Sequence, residues 1–158
     1  MASTEYRDDI RQAYQGELIG EKLYRELATR AASKQQKVKL NAIADVEMLT
    51  NVRLRPIAER LGIHPQESEY QATVARRANE LAGYSWSAFI SKALRDWPPY
   101  IARFEAILPL APPGDETVIR QLIEHEVVLV EFIRIEHAAA GGRDSLRVLE
   151  EFLERSHA

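Results

Sequence analysis

The chain has no cysteine among its 158 residues, which excludes disulfides, thiolate nucleophiles and cysteine-held metals together. It has no run approaching the ~20 apolar residues that a membrane-spanning helix needs. Residues 1–11 carry acids and no apolar stretch, so no secretory leader is expected and the cytoplasm is the default compartment. Strand signals are missing as well: there is no Asn-Gly or Asp-Gly turn and no alternating β-branched run. Charge of one sign does not dominate. The formal net charge is −3, so neither nucleic acid nor an anionic membrane is indicated as a partner.

What is present is enough apolar material for one domain (residues 1–158) with a proper core: 46% hydrophobic against 28% charged. Glycine and proline punctuate long segments of helical period. A first helix is expected over about 4–31, its inward face reading Ile10, Ala13, Glu17, Gly20, Tyr24, Leu27 and Ala31. A second, over about 34–61, reads Ile43, Glu47, Thr50, Leu54, Ile57 and Leu61. It stops at Gly62, a natural left-handed cap, and Pro56 should kink it. His64-Pro65 opens a shorter segment to Leu81 with few large apolar residues, expected to be a cover or crossover. A third long helix, about 85–109, starts at Ser85 and is interrupted by Pro98-Pro99.

The fourth, about 115–140, is capped by Asp115 and ended by Gly141-Gly142. Its stripe of Ile119, Leu122, Ile123, Val130 and Ile133 also contains Glu126. An amphipathic tail helix follows from Asp144 to Arg155, with Leu146, Leu149, Phe152 and Leu153 as its sticky side. Four long helices with one longer connection make an all-α four-helix bundle, with a short crossover helix and a short C-terminal helix, the economical arrangement. One interval recurs: Glu47 follows Glu17 at the distance at which Glu126 follows Asp96, a faint hint of duplication.

The first helix carries Glu17-x-x-Gly20-x-x-x-Tyr24, the second Glu47-x-x-Thr50, and the fourth His125-Glu126-x-x-Leu129. These resemble the ferritin-like superfamily, in its rubrerythrin-type branch, over roughly residues 5–140. The resemblance implies a bundle whose core holds two metal ions on four carboxylates and two Glu-x-x-His imidazoles. The chain departs from that pattern. Thr50 and Leu129 stand where the two histidines should be, and Trp97 stands where the third helix should offer a glutamate. Neighbouring Asp96 points off the main face.

Three glutamates, Glu17, Glu47 and Glu126, thus fall on corresponding helix faces. A carboxylate in an apolar stripe is costly to desolvate unless a metal, a proton or a cation neutralises it. Iron or manganese suits such oxygen ligands, with His125 or Asp96 supplementing the set. A single metal on the three glutamates is a second solution, and a proton-sharing or cation-paired cluster able to act in acid–base chemistry is a third. His125 follows a different line around the helix, about 100° from Glu126, and is expected to be half-exposed and bonded to a nearby glutamate. Arg76 and Arg77 read as ordinary solvated charges. Trp97-Pro98-Pro99-Tyr100 either plugs the space left by a lost metal or opens an aromatic pocket lined by Tyr24, Trp97, Tyr100 and Phe104.

Three functions follow. The first is a ferritin-like protein with a degenerate metal site that binds or transforms a small organic molecule, using Glu17, Glu47 and Glu126 as acid–base or anchoring groups. The second is a di-iron or manganese oxidase or oxygenase. The third is a non-enzymatic, self-associating helical module. A homodimer paired along a long helix is the expected assembly.

Overall fold

A computed structural model describes residues 2–139 and 143–157. Among these the chain is all-α: seven α-helices, two short 3₁₀ turns and no strand. Helix α1 spans Thr4–Thr29 and α2 spans Lys34–Arg60. Each begins on a serine whose hydroxyl accepts a backbone N–H three residues on, Ser3 from Tyr6 and Ser33 from Gln36, both at 3.1 Å. The end of α2 is a Schellman motif. Gly62 takes φ 69°, Ile63 N–H reaches back to the Ala58 carbonyl at 2.8 Å, and Gly62 N–H reaches Glu59 at 3.0 Å. The helix continues through Pro56 to that cap.

Helix α3 (Glu67–Ala82) buries only Ala78 and lies against α1, the covering role expected of it. Helices α4 (Trp86–Asp96) and α5 (Pro99–Glu105) replace the single third helix expected over 85–109. The cause is chemical. Pro98 and Pro99 have no N–H to offer the carbonyls of Leu94 and Arg95. Tyr100 and Ile101 then bond three residues back, to Trp97 and Pro98 at 3.0 and 3.1 Å, and start a new helix. The interruption is therefore a gap in the hydrogen-bond ladder, while Trp97 and Pro98 keep right-handed helical φ and ψ.

Helix α6 (Glu116–Ala139) is the centre of the packing, touching α2, α4, α5 and α7. Asp115, expected to cap it, lies in the preceding 3₁₀ turn and is buried. Its carboxylate accepts the Tyr6 hydroxyl at 2.8 Å and pairs with Arg60. The Gly141-Gly142 stop lies outside the described residues. Helix α7 (Arg143–Ser156) buries Leu149 and Phe152 in the molecule's own core. The tail's sticky side is spent inside the chain. No helix of the described residues is long and apolar enough to cross a membrane.

The apolar residues form two cores. One gathers Leu23, Leu27, Leu40, Ile43, Phe89, Leu129, Phe132, Ile133 and the tail; the other gathers Tyr6, Ile10, Leu54, Ile57, Phe104, Ile107, Ile119 and Leu122. Burying each large side chain stabilises by about 1.5–3 kcal/mol. On α1, α2 and α6 the two cores are separated by a few residues, and those residues are the polar ones: Glu17; Glu47 with Thr50 and Asn51; His125 with Glu126. On the α4–α5 limb the same level is the break at Trp97-Pro98. The fold is an hourglass of hydrocarbon with a polar waist.

Candidate functional site

At the waist, Glu17, Glu47 and Glu126 are all buried, at 4%, 7% and 6% exposure. Glu17 and Glu47 lie close enough at the waist for each to act on the other's titration. Burial pushes the Glu17 carboxyl up to about 8, Glu47 opposes this and the charge of Glu126 adds to it. Glu126 also rises to about 8 through burial, held back by His125 and pushed further by Glu47. Glu47 lies well above the usual carboxylate range through burial and the charge of Glu17. Thus all three acids resist ionisation, chiefly through burial.

His125 overturns the expectation of a half-exposed flank residue. It is completely buried, with Nε2 3.1 Å from Glu17 Oε2 and 3.7 Å from Glu126 Oε2. The face rule failed because α6 is enclosed on more than one side: Val128, Leu129, Phe132 and Glu136 are buried in addition to residues of the expected stripe. The Nδ1 of His125 donates to the Leu122 carbonyl, since a carbonyl can only accept. That contact fixes the ring with Nε2 turned toward the acids. Despite their closeness, His125 Nε2 and Glu17 Oε2 are out of hydrogen-bonding alignment. They are the two buried side-chain polar atoms among the described residues left without a hydrogen-bond partner.

Glu17, Glu47 and His125 each offer one ligand atom, and these lie within 4.8 Å of one another. That separation suits one cation shared by three ligands. A second cation has little to hold it. Thr50 Oγ1 donates to the Val46 carbonyl at 3.0 Å, Leu129 is apolar, and Asp96 is exposed and paired with Lys92 one turn away. The structure thus brings Glu17, Glu47, Glu126 and His125 together and leaves Asp96 out.

Gly20 explains how Glu47 reaches the cluster. A Cβ built there would lie 2.8 Å from Glu47 Oε2 and 2.9 Å from its carboxyl carbon. The bare backbone of α1 at this position is the space the carboxyl occupies. Behind it, buried Asn51 donates to Glu21 at 2.8 Å and fixes the next turn.

A cavity of about 750 Å³ opens above the cluster between α1, α3, α4, α5 and α6. Glu17, Glu47, Glu126 and Leu129 line it, and so do all four aromatic residues expected from the sequence, Tyr24, Trp97, Tyr100 and Phe104. Tyr24 meets Trp97 edge-on with centroids 5.9 Å apart, Phe104 lies 5.9 Å from the His125 ring, and Tyr100 stacks at 5.9 Å on Phe104. Burial and the charges of Glu47 and Glu126 hold the Tyr24 phenol well above its usual range, with Arg77 pulling the other way. The indole of Trp97 is half-buried in the wall and leaves the cavity open, and Arg77 lines that cavity.

Sequence reasoning missed a second buried polar group. Lys39 Nζ bonds both oxygens of Glu136, at 3.0 and 2.8 Å, and Glu136 also accepts Trp86 Nε1 at 2.9 Å and Ser145 Oγ at 2.6 Å. Its signal was present. Lys39 sits one turn before Ile43 and Glu136 one turn after Ile133, both on inward stripes. Burial would raise the Glu136 carboxyl, but Lys39, Ser145 and Trp86 together hold it below the usual carboxylate range. No known family model, curated protein or solved structure matches this chain.

Proposed function

We propose that this chain is a ferritin-like four-helix-bundle protein with a reduced metal site, one that binds a small organic molecule in the cavity above a single divalent cation. Glu17, Glu47 and His125 would hold the cation, and Glu126 would stand beside it as a fourth ligand or as a base. The observation that carries this reading is the pair of buried, unpartnered atoms, Glu17 Oε2 and His125 Nε2, facing one another at 3.1 Å. An unsatisfied buried polar atom costs about 1–3 kcal/mol, and more when charged. One cation relieves both atoms and the mutual repulsion of the acids behind them. A ligand set of carboxylates with one imidazole suits iron or manganese.

When bound, such a cation would supply Lewis acidity at the cavity floor. The chain's own residues do the rest. Glu126 Oε2, beside His125, is placed to hold or release a proton at the floor. Tyr24, Trp97 and Phe104 bind an apolar body and exclude water from the acids. The hydrogen bond from His125 Nδ1 to Leu122 keeps Nε2 turned inward.

Elemental analysis after anaerobic loading with Fe(II) or Mn(II) tests the cation. One equivalent per chain is expected, lost in His125→Ala. Two equivalents would favour a dimetal oxidase, and none would leave the metal-free acid–base cluster that the raised carboxyls favour. The cavity is tested with a neutral aromatic probe, 3-phenylpropan-1-ol, followed by tryptophan fluorescence; binding should be lost in Trp97→Ala. Exposed Met48 and Val52, one turn apart on α2, favour pairing of two copies along that helix. Sedimentation of Met48→Glu checks it: an unchanged mass would remove that surface from the role.

A further inference from the structure

We propose that the natural ligand of this cavity is a small organic anion, an acid with an apolar body, whose charged group rests on Arg77 and Arg95 at the mouth. The inference depends on the cavity being a ligand site, as argued above, and adds the ligand's chemical class and orientation.

Charge in the cavity is layered. Its floor is acidic and buried. Its walls are Tyr24, Phe89, Trp97 and Phe104. The exposed lining residues, which mark the opening, include three cations, Arg77, Arg95 and Arg103, against two acids, Glu80 and Asp96, and half-buried Lys92 lines it beside them. Two of the cations are engaged: Lys92 pairs with Asp96, and the Arg103 guanidinium lies 4.9 Å from the centre of the Tyr100 ring. Arg77 and Arg95 have no carboxylate within ion-pair distance among the described residues. Arg77 and Arg95 both line the cavity.

An arriving anion is drawn to the two guanidinium groups at the mouth, which no carboxylate neutralises. It therefore stops with its charged group outward and its apolar end inward among the rings. An amine meets the same two unpaired guanidinium groups first and is repelled by them. A neutral molecule gains only the walls. Planar guanidinium groups also match a carboxylate with paired N–H donors. The volume falls within the range of cavities that take small organic ligands.

Three probes sharing one body separate the cases: 3-phenylpropionate, 3-phenylpropan-1-ol and 3-phenylpropylamine, titrated calorimetrically into full-length protein. The acid should bind at least about fivefold more tightly than the alcohol at low salt, and the amine more weakly than either. In Arg77→Gln/Arg95→Gln, both exposed positions, the acid should fall to the alcohol's affinity while the alcohol is unchanged. Raising salt should erase the same margin. An acid no tighter than the alcohol overturns the anion assignment and leaves the cavity a ligand site. A preference that survives the double variant overturns the mouth as the headgroup's seat. No binding by any probe overturns both this inference and the ligand site itself.

Discussion

Two of the buried charged groups in this molecule are built in opposite ways. Around Glu136, every bond needed by a carboxylate is supplied: a lysine on α2, a tryptophan on α4 and a serine on α7. Around Glu17, three acids and an imidazole are crowded together with two atoms left unpartnered. The first group stays ionised despite burial, whereas the second resists ionisation because of it. Burial alone therefore does not mark a site. A satisfied ion pair fastens helices to one another, while an unsatisfied cluster is a place still waiting for a partner.

The contrast can be broken most forcefully at the satisfied end. Lys39→Met leaves Glu136 charged, buried and short of its cation, and should cost about 3–5 kcal/mol in chemical denaturation. Adding Glu136→Leu to that variant should restore most of the loss, because the pair would then be replaced by hydrocarbon. A double variant as weak as the single one would contradict the account of Glu136 as a self-contained pair.

The next largest effect is in the pH dependence, where the two groups have opposite signs. Glu17 and Glu126 bind protons more tightly folded than unfolded, with folded values of about 8 against an ordinary 4.5. Between those values the native state holds protons that the unfolded chain has lost. Their stabilising contribution is full below about pH 4.5 and disappears as pH rises through about 8. Chelator-treated protein should lose on the order of a few kcal/mol from pH 5 to pH 9, and bound Mn(II) should flatten that slope. Glu136 does the reverse. Its folded value is lowered, so its contribution is present above the unfolded value near 4.5 and is lost as pH falls through the folded one. Denaturation midpoints across pH, in wild type and in Lys39→Met, would separate the two slopes.

Glu126→Gln gives a smaller, sign-specific change. In metal-free protein at pH 9 it removes a buried charge among like charges and should stabilise by about 1–2 kcal/mol. At pH 6, where the native carboxyl is already protonated, the gain should vanish. An equal effect at both pH values would count against a raised Glu126. Gly20→Ala should move stability least. The helix gains up to about 1 kcal/mol in propensity, and the contact with Glu47 takes much of it back. Its mark should instead be on the cation, with Mn(II) affinity falling as the Glu47 carboxyl is pushed aside.

The fold's helices were legible because their apolar period is strong and their ends carry local chemistry: serine at the starts of α1, α2 and α4, and Gly62 at the end of α2. The extent of the third helix was not, because two consecutive prolines remove adjacent hydrogen bonds and a new helix starts more cheaply than the old one continues. Among the site residues, Glu17, Glu47 and Glu126 were visible as acids on apolar stripes. His125 was misplaced because a single inward face was assumed for α6, a helix that is surrounded. Pairing Lys39 with Glu136 was out of reach, since two inward-facing charges far apart in sequence do not announce each other. Arg77 was hidden for a related reason: nothing local distinguishes an arginine over a cavity from one over water.

The double proline at the waist has one more consequence. A limb that lacks two successive N–H donors cannot zip back into a continuous helix, so the mouth beside Trp97 is written into the covalent chain. A ligand arriving there need not melt a turn of helix to enter. The cost of making room is met when the protein folds, and binding can spend its free energy on the guest, which is what preorganisation means for a receptor.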